Sequence, residues 1–252
     1  MELGLRGRTA LVVGASRGLG REIALTLAQE GACVLAVARS ETAIHSLVEQ
    51  MGGDEKGHWG IAADLLPDEA PGELVARITE RCPAVDIIVH NLGGTLGIRD
   101  PFCALPEWRA MWRLNFEIAV DLNRLLIPPM QLRRWGRVVH ISSIAANLSR
   151  GSIPYGTVKA ALNAYARNLG CTVAPDGVVV SSVMPGAIHD EGGHWDRMLK
   201  TQPEMAARYL EQRMAIKRFA NPQEIAQFAA FLCSERASFF TGALLPIDGG
   251  SY

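Results

Sequence analysis

Tyr155 and Lys159 lie four residues apart in a stretch of helical periodicity, so their side chains share one helix face. A tyrosine with its ordinary pKa of about 10 is a poor acid or base at neutral pH. A neighbouring ammonium favours the phenolate and draws the group toward the working range, where it can protonate a carbonyl oxygen. Tyr-x-x-x-Lys by itself is equally compatible with an ordinary helical pair. Ahead of it, Ser142 and Ser143 close an apolar run, and a hydroxyl at the carboxyl edge of a sheet can hold a substrate oxygen. Asn115 falls inside a long helical stretch, an unfavourable place for asparagine unless its side chain is used.

A carbonyl protonated in this way also needs a hydride, and the amino-terminal end has a place for its carrier. The first apolar run leads into Gly14-Ala15-Ser16-Arg17-Gly18-Leu19-Gly20 and then a helical pattern. Glycines there let the backbone turn tightly and approach a pyrophosphate, which sits against the positive end of the next helix. Charge selects the dinucleotide. A carboxylate at the end of the second strand would accept from a ribose 2′-OH and repel a 2′-phosphate. This sequence reads Ala38-Arg39-Ser40 instead, with no acid. Arg39 is placed to grip a phosphate with its forked guanidinium, and Arg17 can reach the same group. Each arginine alone also reads as a solvated surface residue. Together they favour NADP(H).

The elements that must hold these groups follow from periodicity. Residues 9–13, 33–37, 59–62, 86–90, 137–142, 178–184 and 244–247 are short apolar runs, mostly continuous, as in parallel strands covered on both faces. Between them, residues 20–30, 43–51, 69–81, 106–127, 154–173 and 223–233 carry helical periodicity. The alternation predicts an α/β fold: a Rossmann-type, doubly wound parallel sheet of about seven strands with helices on both faces. No linker or repeat divides the 252 residues, which points to one domain over 1–252. The stretch from Pro185 to Asn221 breaks the rhythm and reads as a substrate lid at about 186–220 with two short helical patches.

Composition excludes several roles. A net charge of −1 supplies no field for nucleic acid or an acidic membrane surface. No run approaches the ~18 apolar residues of a spanning helix, and the start carries no signal-peptide pattern. The five cysteines are scattered, with no Cys-x-x-Cys pair, as expected of buried thiols in a reducing cytoplasm rather than a disulfide framework or zinc site. His189 and His194 stand among carboxylates, but their spacing fits no tight metal site.

From Thr9 to Gly250 the sequence resembles the single-domain branch of the short-chain dehydrogenase/reductases, including 3-oxoacyl-ACP-reductase-like members. The matching segments are VVGASRGLG at 12–20, Asp64 after the third strand, HNLGG at 90–94, Asn115, the Ser142-Ser143 pair, YGTVK at 155–159, MPG at 184–186 and IDGG at 247–250. The resemblance implies an NADP(H)-dependent carbonyl or alcohol oxidoreductase with Tyr155 as general acid/base. It assigns Lys159 to the nicotinamide ribose and to lowering the tyrosine pKa, Ser143 to the substrate oxygen, and Asn115 to a relay water. Ser142 remains an alternative to Ser143. Cofactor contacts are implied for Gly14, Ser16, Arg17, Gly18, Leu19, Gly20, Arg39, Asp64, Leu65, Asn91, Gly93, Pro185, Gly186 and Ile188, besides Tyr155 and Lys159. A small-molecule carbonyl or alcohol is the implied partner, and a homotetramer (or homodimer) through the helices at 106–127 and 154–173, plus the last strand and helix, the implied assembly.

Three departures qualify the match. Leu92 replaces a family alanine, Val13 replaces a threonine before the first glycine, and Asp190 stands where a carboxamide-gripping threonine is common. Polar residues of the lid, with Arg99 and Arg150, suggest a hydrophilic substrate, sugar-like or acidic, on which Trp108 or Trp195 could stack. The competing readings are a polyol dehydrogenase working oxidatively and a non-catalytic NADP(H) sensor, which would be expected to have lost Tyr155 or Lys159.

Overall fold

The computed structural model describes residues 2–148 and 151–251. Arg150, expected to face the substrate, lies outside them. Seven parallel strands form one sheet in the order β3-β2-β1-β4-β5-β6-β7. They are β1 Thr9–Val13, β2 Cys33–Ala38, β3 Trp59–Ala62, β4 Ile87–His90, β5 Gly136–Ile141, β6 Val178–Pro185 and β7 Leu244–Ile247. The chain winds outward from β1 to β3, then restarts on the other side of β1 with β4. The crevice this reversal opens at the carboxyl ends of β1 and β4 is where such sheets bind ligands.

The continuous apolar runs have the expected cause. Alternate residues of one strand feed two separate cores, Ala10 and Val12 one, Leu11 and Val13 the other. Helices α1 Gly18–Gln29, α2 Glu41–Met51 and α9 Pro222–Leu232 cover the first face, with Ile23, Leu47 and Ile225 buried there. Helices α3 Ala70–Arg81, α5 Ile118–Leu132 and α6 Ile153–Val173 cover the second through Leu74, Leu122 and Ala166.

The long helix expected over 106–127 is three pieces in continuous succession: α4 Leu105–Trp112, a π turn Arg113–Glu117, and α5. In the π turn Ile118 N–H reaches back to Arg113 O, five residues away, and Asn115 sits in that widened turn. The carboxyl end also differs. The helical pattern predicts an end at 127, yet the helix runs on through Pro128 and Pro129 to Leu132. Both prolines face solvent, where water can serve the carbonyls they leave without donors, and Met130 beside them is anchored in the core. The two helical patches of the 186–220 segment are α7 His194–Thr201 and α8 Pro203–Arg213.

Two glycines let α1 approach the sheet. Gly14 has φ 86°, and a Cβ there would press on Leu92 N at 2.9 Å. Gly20 faces Gly14 O and the Asn91 amide so closely that any side chain would collide with both. Gly20→Ala is therefore expected to destabilise the fold by about 2 kcal/mol through overpacking against backbone. A lowered urea midpoint with an unchanged m-value checks this; an unchanged midpoint refutes it.

Candidate active site

A cleft of about 800 Å³ runs along the carboxyl ends of β1, β2, β4, β5 and β6. At its outer end, Gly14, Ser16, Arg17, Gly18 and Leu19 form the wall between β1 and α1. Asn91 Nδ2 donates to Gly14 O at 2.9 Å, tying the end of β4 to this loop. Gly20 does not line the cleft; its place is the close packing just described.

Beyond β2, Arg39 and Ser40 line the same end. Ser40 Oγ accepts from Ala43 N at 3.3 Å and caps α2, whereas Arg39 is exposed and engages no side chain among the described residues. Asp64 and Leu65 complete this wall after β3. A residue that sequence reasoning missed fixes them. Arg113, at the start of the π turn, donates to Leu65 O at 3.3 Å, Leu66 O at 2.9 Å and Pro67 O at 3.0 Å. Nothing in the local pattern marks this arginine, because its acceptors come from a distant loop.

Gly93, Pro185, Gly186 and Ile188 line the middle of the cleft. Leu92, the departure from the family alanine, packs against the second core. Asp190, Gly193, His194 and Trp195 close over this part. Trp195 stacks within its own segment, 4.2 Å from the Tyr209 ring centroid and 4.8 Å from Phe219. Trp108 does not reach the cleft, because it lies on the half-buried side of α4 while Ala110 and Leu114 provide the wall. That i, i+4 pair was the overlooked sequence signal.

At the inner end stand Ser143, Tyr155 and Lys159. Helix α6 is started by Ser152, whose Oγ accepts from Tyr155 N at 3.2 Å and donates to Ile98 O at 2.6 Å. Tyr155 thus lies in a first turn locked to the loop after β4. Gly156 lets that turn close on the segment carrying Ser143, since a Cβ there would meet Ala145 O at 2.8 Å. The two serines separate cleanly. Ser142 is buried and its Oγ donates to Lys159 O at 3.3 Å, whereas Ser143 shares a side-chain hydrogen bond with Tyr155.

Lys159 is buried, and its Nζ donates to Ile141 O at 2.8 Å, 5.7 Å from the Tyr155 ring centroid. Burial lowers its pKa from 10.5 to about 8. Burial pushes Tyr155 the other way, up to about 12, with the Ser143 hydrogen bond pulling it down. Desolvation of the buried phenolate is the larger of the two effects. Asn115 lies below the cleft surface. Its Oδ1 accepts from Gly94 N at 2.9 Å, and its Nδ2 donates to Gly94 O at 3.0 Å and Met111 O at 3.1 Å. Asn115 Oδ1 and Lys159 Nζ flank the same side of Gly93.

A buried polar cluster that no spacing foretold lies beneath. His90 and His140 are paired across β4 and β5 and stack with centroids 4.7 Å apart. Asn123 Oδ1 bonds His90 Nε2 at 2.8 Å and its Nδ2 reaches Tyr165 Oη at 3.2 Å. Burial holds both imidazoles neutral, His90 at about 4.

Fold and cleft together define an oxidoreductase built on a dinucleotide-binding sheet. A family model described as enoyl-(acyl carrier protein) reductase matches residues 14–252. The 3-oxoacyl-[acyl-carrier-protein] reductase of Aquifex aeolicus is 31% identical, across 100% of both chains. L-sorbose reductase from Gluconobacter frateurii, solved with NADPH and L-sorbose, has a TM-score of 0.89 at 31% identity, covering 99% of this chain and 98% of that one. A 3-oxoacyl (acyl-carrier-protein) reductase from Agrobacterium tumefaciens with NADP bound has a TM-score of 0.90 at 30% identity, covering 99% and 96%. The chain belongs to the short-chain dehydrogenase/reductase family, whose members interconvert carbonyl and CH–OH groups.

The depressed pKa of Lys159 has a thermodynamic consequence. Because the folded-state value lies below the unfolded one, the charged amine opposes folding fully below about pH 8, and the penalty fades as pH rises toward 10.5. Lys159→Met is expected to raise unfolding stability at pH 7 by about 2 kcal/mol, allowing for the lost hydrogen bond, while ending turnover. Urea unfolding at pH 7 and pH 10 checks both the sign and the loss of the gain.

Proposed function

We propose that this chain is an NADP(H)-dependent reductase of a small polar carbonyl compound, with Tyr155 as its general acid. The observation that carries this reading is one continuous cleft with the Ser143–Tyr155–Lys159 cluster at one end and a glycine loop flanked by Arg17 and Arg39 at the other.

The residues present fit the dinucleotide. Glycine at positions 14, 18 and 20 keeps backbone open or closely packed beside the α1 amino terminus, the partner a pyrophosphate requires. Arg39, exposed on the cleft with Arg17, takes the 2′-phosphate; Asp64 and Leu65 flank the adenine; Asn91 braces the loop; Gly93, Pro185, Gly186 and Ile188 line the nicotinamide half. When bound, NADPH supplies the hydride. Ser143 orients the substrate oxygen and Tyr155 gives it a proton. Lys159 holds the ribose hydroxyls and favours the phenolate that results, aided by the positive charge of the oxidised ring. Asn115 and Lys159, on one side of Gly93, bracket a water that returns the proton from solvent.

The chain works as one domain in which residues 186–220 form the lid. Its cleft wall mixes apolar Leu96, Leu114 and Trp195 with polar His194 and Asp190. A wall of this kind suits a hydrophilic ketone, as does the likeness to a sugar reductase. The protein assembles as a homotetramer through α4, α5 and α6, where Leu105 and Leu132 stand exposed in the isolated chain, and it acts in the cytoplasm. Among the described residues no helix is long and apolar enough to cross a membrane.

Tyr155→Phe is expected to reduce kcat by about 10³-fold or more with NADPH affinity retained. An NADPH-oxidation screen over ketones, keto acids, quinones and keto sugars, with that variant as blank, identifies the substrate. Activity surviving in the variant overturns the assignment. Arg39→Ala should lower kcat/KM for NADPH by about tenfold or more and leave NADH nearly unaffected; a native preference for NADH contradicts the phosphate role.

A further inference from the structure

Asp190 occupies an unusual place. The chain leaving β6 crosses the glycine loop, and a Cβ on Gly18, the first residue of α1, would lie 2.6 Å from Asp190 Oδ2. A Cβ on Gly193 would collide with Asp190 Oδ1. The carboxylate is therefore wedged between the amino terminus of α1 and the turn at 190–193, in a space that glycine on both sides makes available. It lines the same cleft as the loop residues Gly14 to Leu19.

This position is not that of a freely rotating surface acid. Gly193 N donates to Asp190 O at 3.0 Å and closes the turn. Asp196, buried, accepts from Gly192 N at 2.9 Å and from Lys200 Nζ at 2.8 Å, and lies 3.6 Å from His189 Nε2. Arg17 Nη1 reaches Gly192 O at 3.4 Å, joining the turn to the glycine loop. The α1 amino terminus has no side-chain cap of its own. Its exposed N–H groups and positive end favour an anion, and Asp190 supplies one from within the chain.

We propose that Asp190 is an affinity-setting residue: an internal anion at the α1 amino terminus that opposes the pyrophosphate of NADP(H) and keeps cofactor binding weak. This rests on the NADP(H) reading above. A carboxylate placed beside Gly18 brings like charge against the diphosphate that the glycine loop receives, and the bond from Gly193 N to Asp190 O holds its backbone in that turn. The cofactor binds against this repulsion, and its release is correspondingly faster.

The test is the affinity of the native protein, Asp190→Asn and Asp190→Thr for two probes, measured by calorimetry. The first probe is NADPH. The second is 2′-phospho-ADP-ribose, which carries the diphosphate and lacks the nicotinamide. Both variants should bind both probes about tenfold more tightly, and the gain should shrink at high salt as screening weakens the repulsion. Unchanged affinities overturn the proposal. So does weakening for NADPH alone, which would make Asp190 an acceptor for the nicotinamide amide. If the native protein and both variants bind neither probe, the cofactor reading falls and this proposal with it. The asparagine variant keeps the shape of the side chain, and matching urea midpoints confirm that the fold is preserved.

Discussion

The burial of the Lys159 ammonium is the constraint on which the inner half of the cleft depends. A cation removed from water needs partners, and Lys159 finds Ile141 O at 2.8 Å at the last residue of β5 and the face of the Tyr155 ring. That bond fixes how far α6 stands from the sheet. Ser142, the next residue, returns a bond to Lys159 O, holds the same junction and leaves Ser143 beside the tyrosine. Gly93 is required where the Asn115 and Lys159 side chains close in, and Gly156 where α6 meets the Ala145 carbonyl. The site is thus assembled around a group whose burial costs stability, as is common where activity and stability compete.

The same economy explains the π turn. Within the widened turn Asn115 Nδ2 donates to Met111 O, and the same amide clamps Gly94 at both backbone groups. The start of that turn, Arg113, anchors the opposite wall through three carbonyls of the 65–67 loop. One local irregularity therefore supports both the inner wall beside Gly94 and the outer wall formed by the 65–67 loop.

Charge is distributed along the cleft by position. Cationic Arg17 and Arg39 stand at the outer end, Asp190 in the middle against α1, and the buried amine at the inner end. The walls nearest the tyrosine come from α4, the π turn and the segment after β6, elements not fixed by the sheet.

Much was legible in the sequence because the relevant forces are local or periodic. Strands buried on both faces read as continuous apolar runs, and all seven were found within a residue or so of their ends. The glycine loop, the Tyr155–Lys159 pair and the missing acid at Arg39 are short-range patterns. What the chain alone left open depended on partners far apart in sequence. The bond from Ser142 to α6, the pairing of Ser143 with Tyr155 and the burial that sets the direction of the Tyr155 pKa all come from tertiary packing that no spacing reports. The stack of His90 on His140 came from strand register. The wedge of Asp190 beside Gly18 came from a loop crossing. Sequence determined which groups were available; the tertiary structure decided which of them face one another, because hydrogen bonding and desolvation act through space.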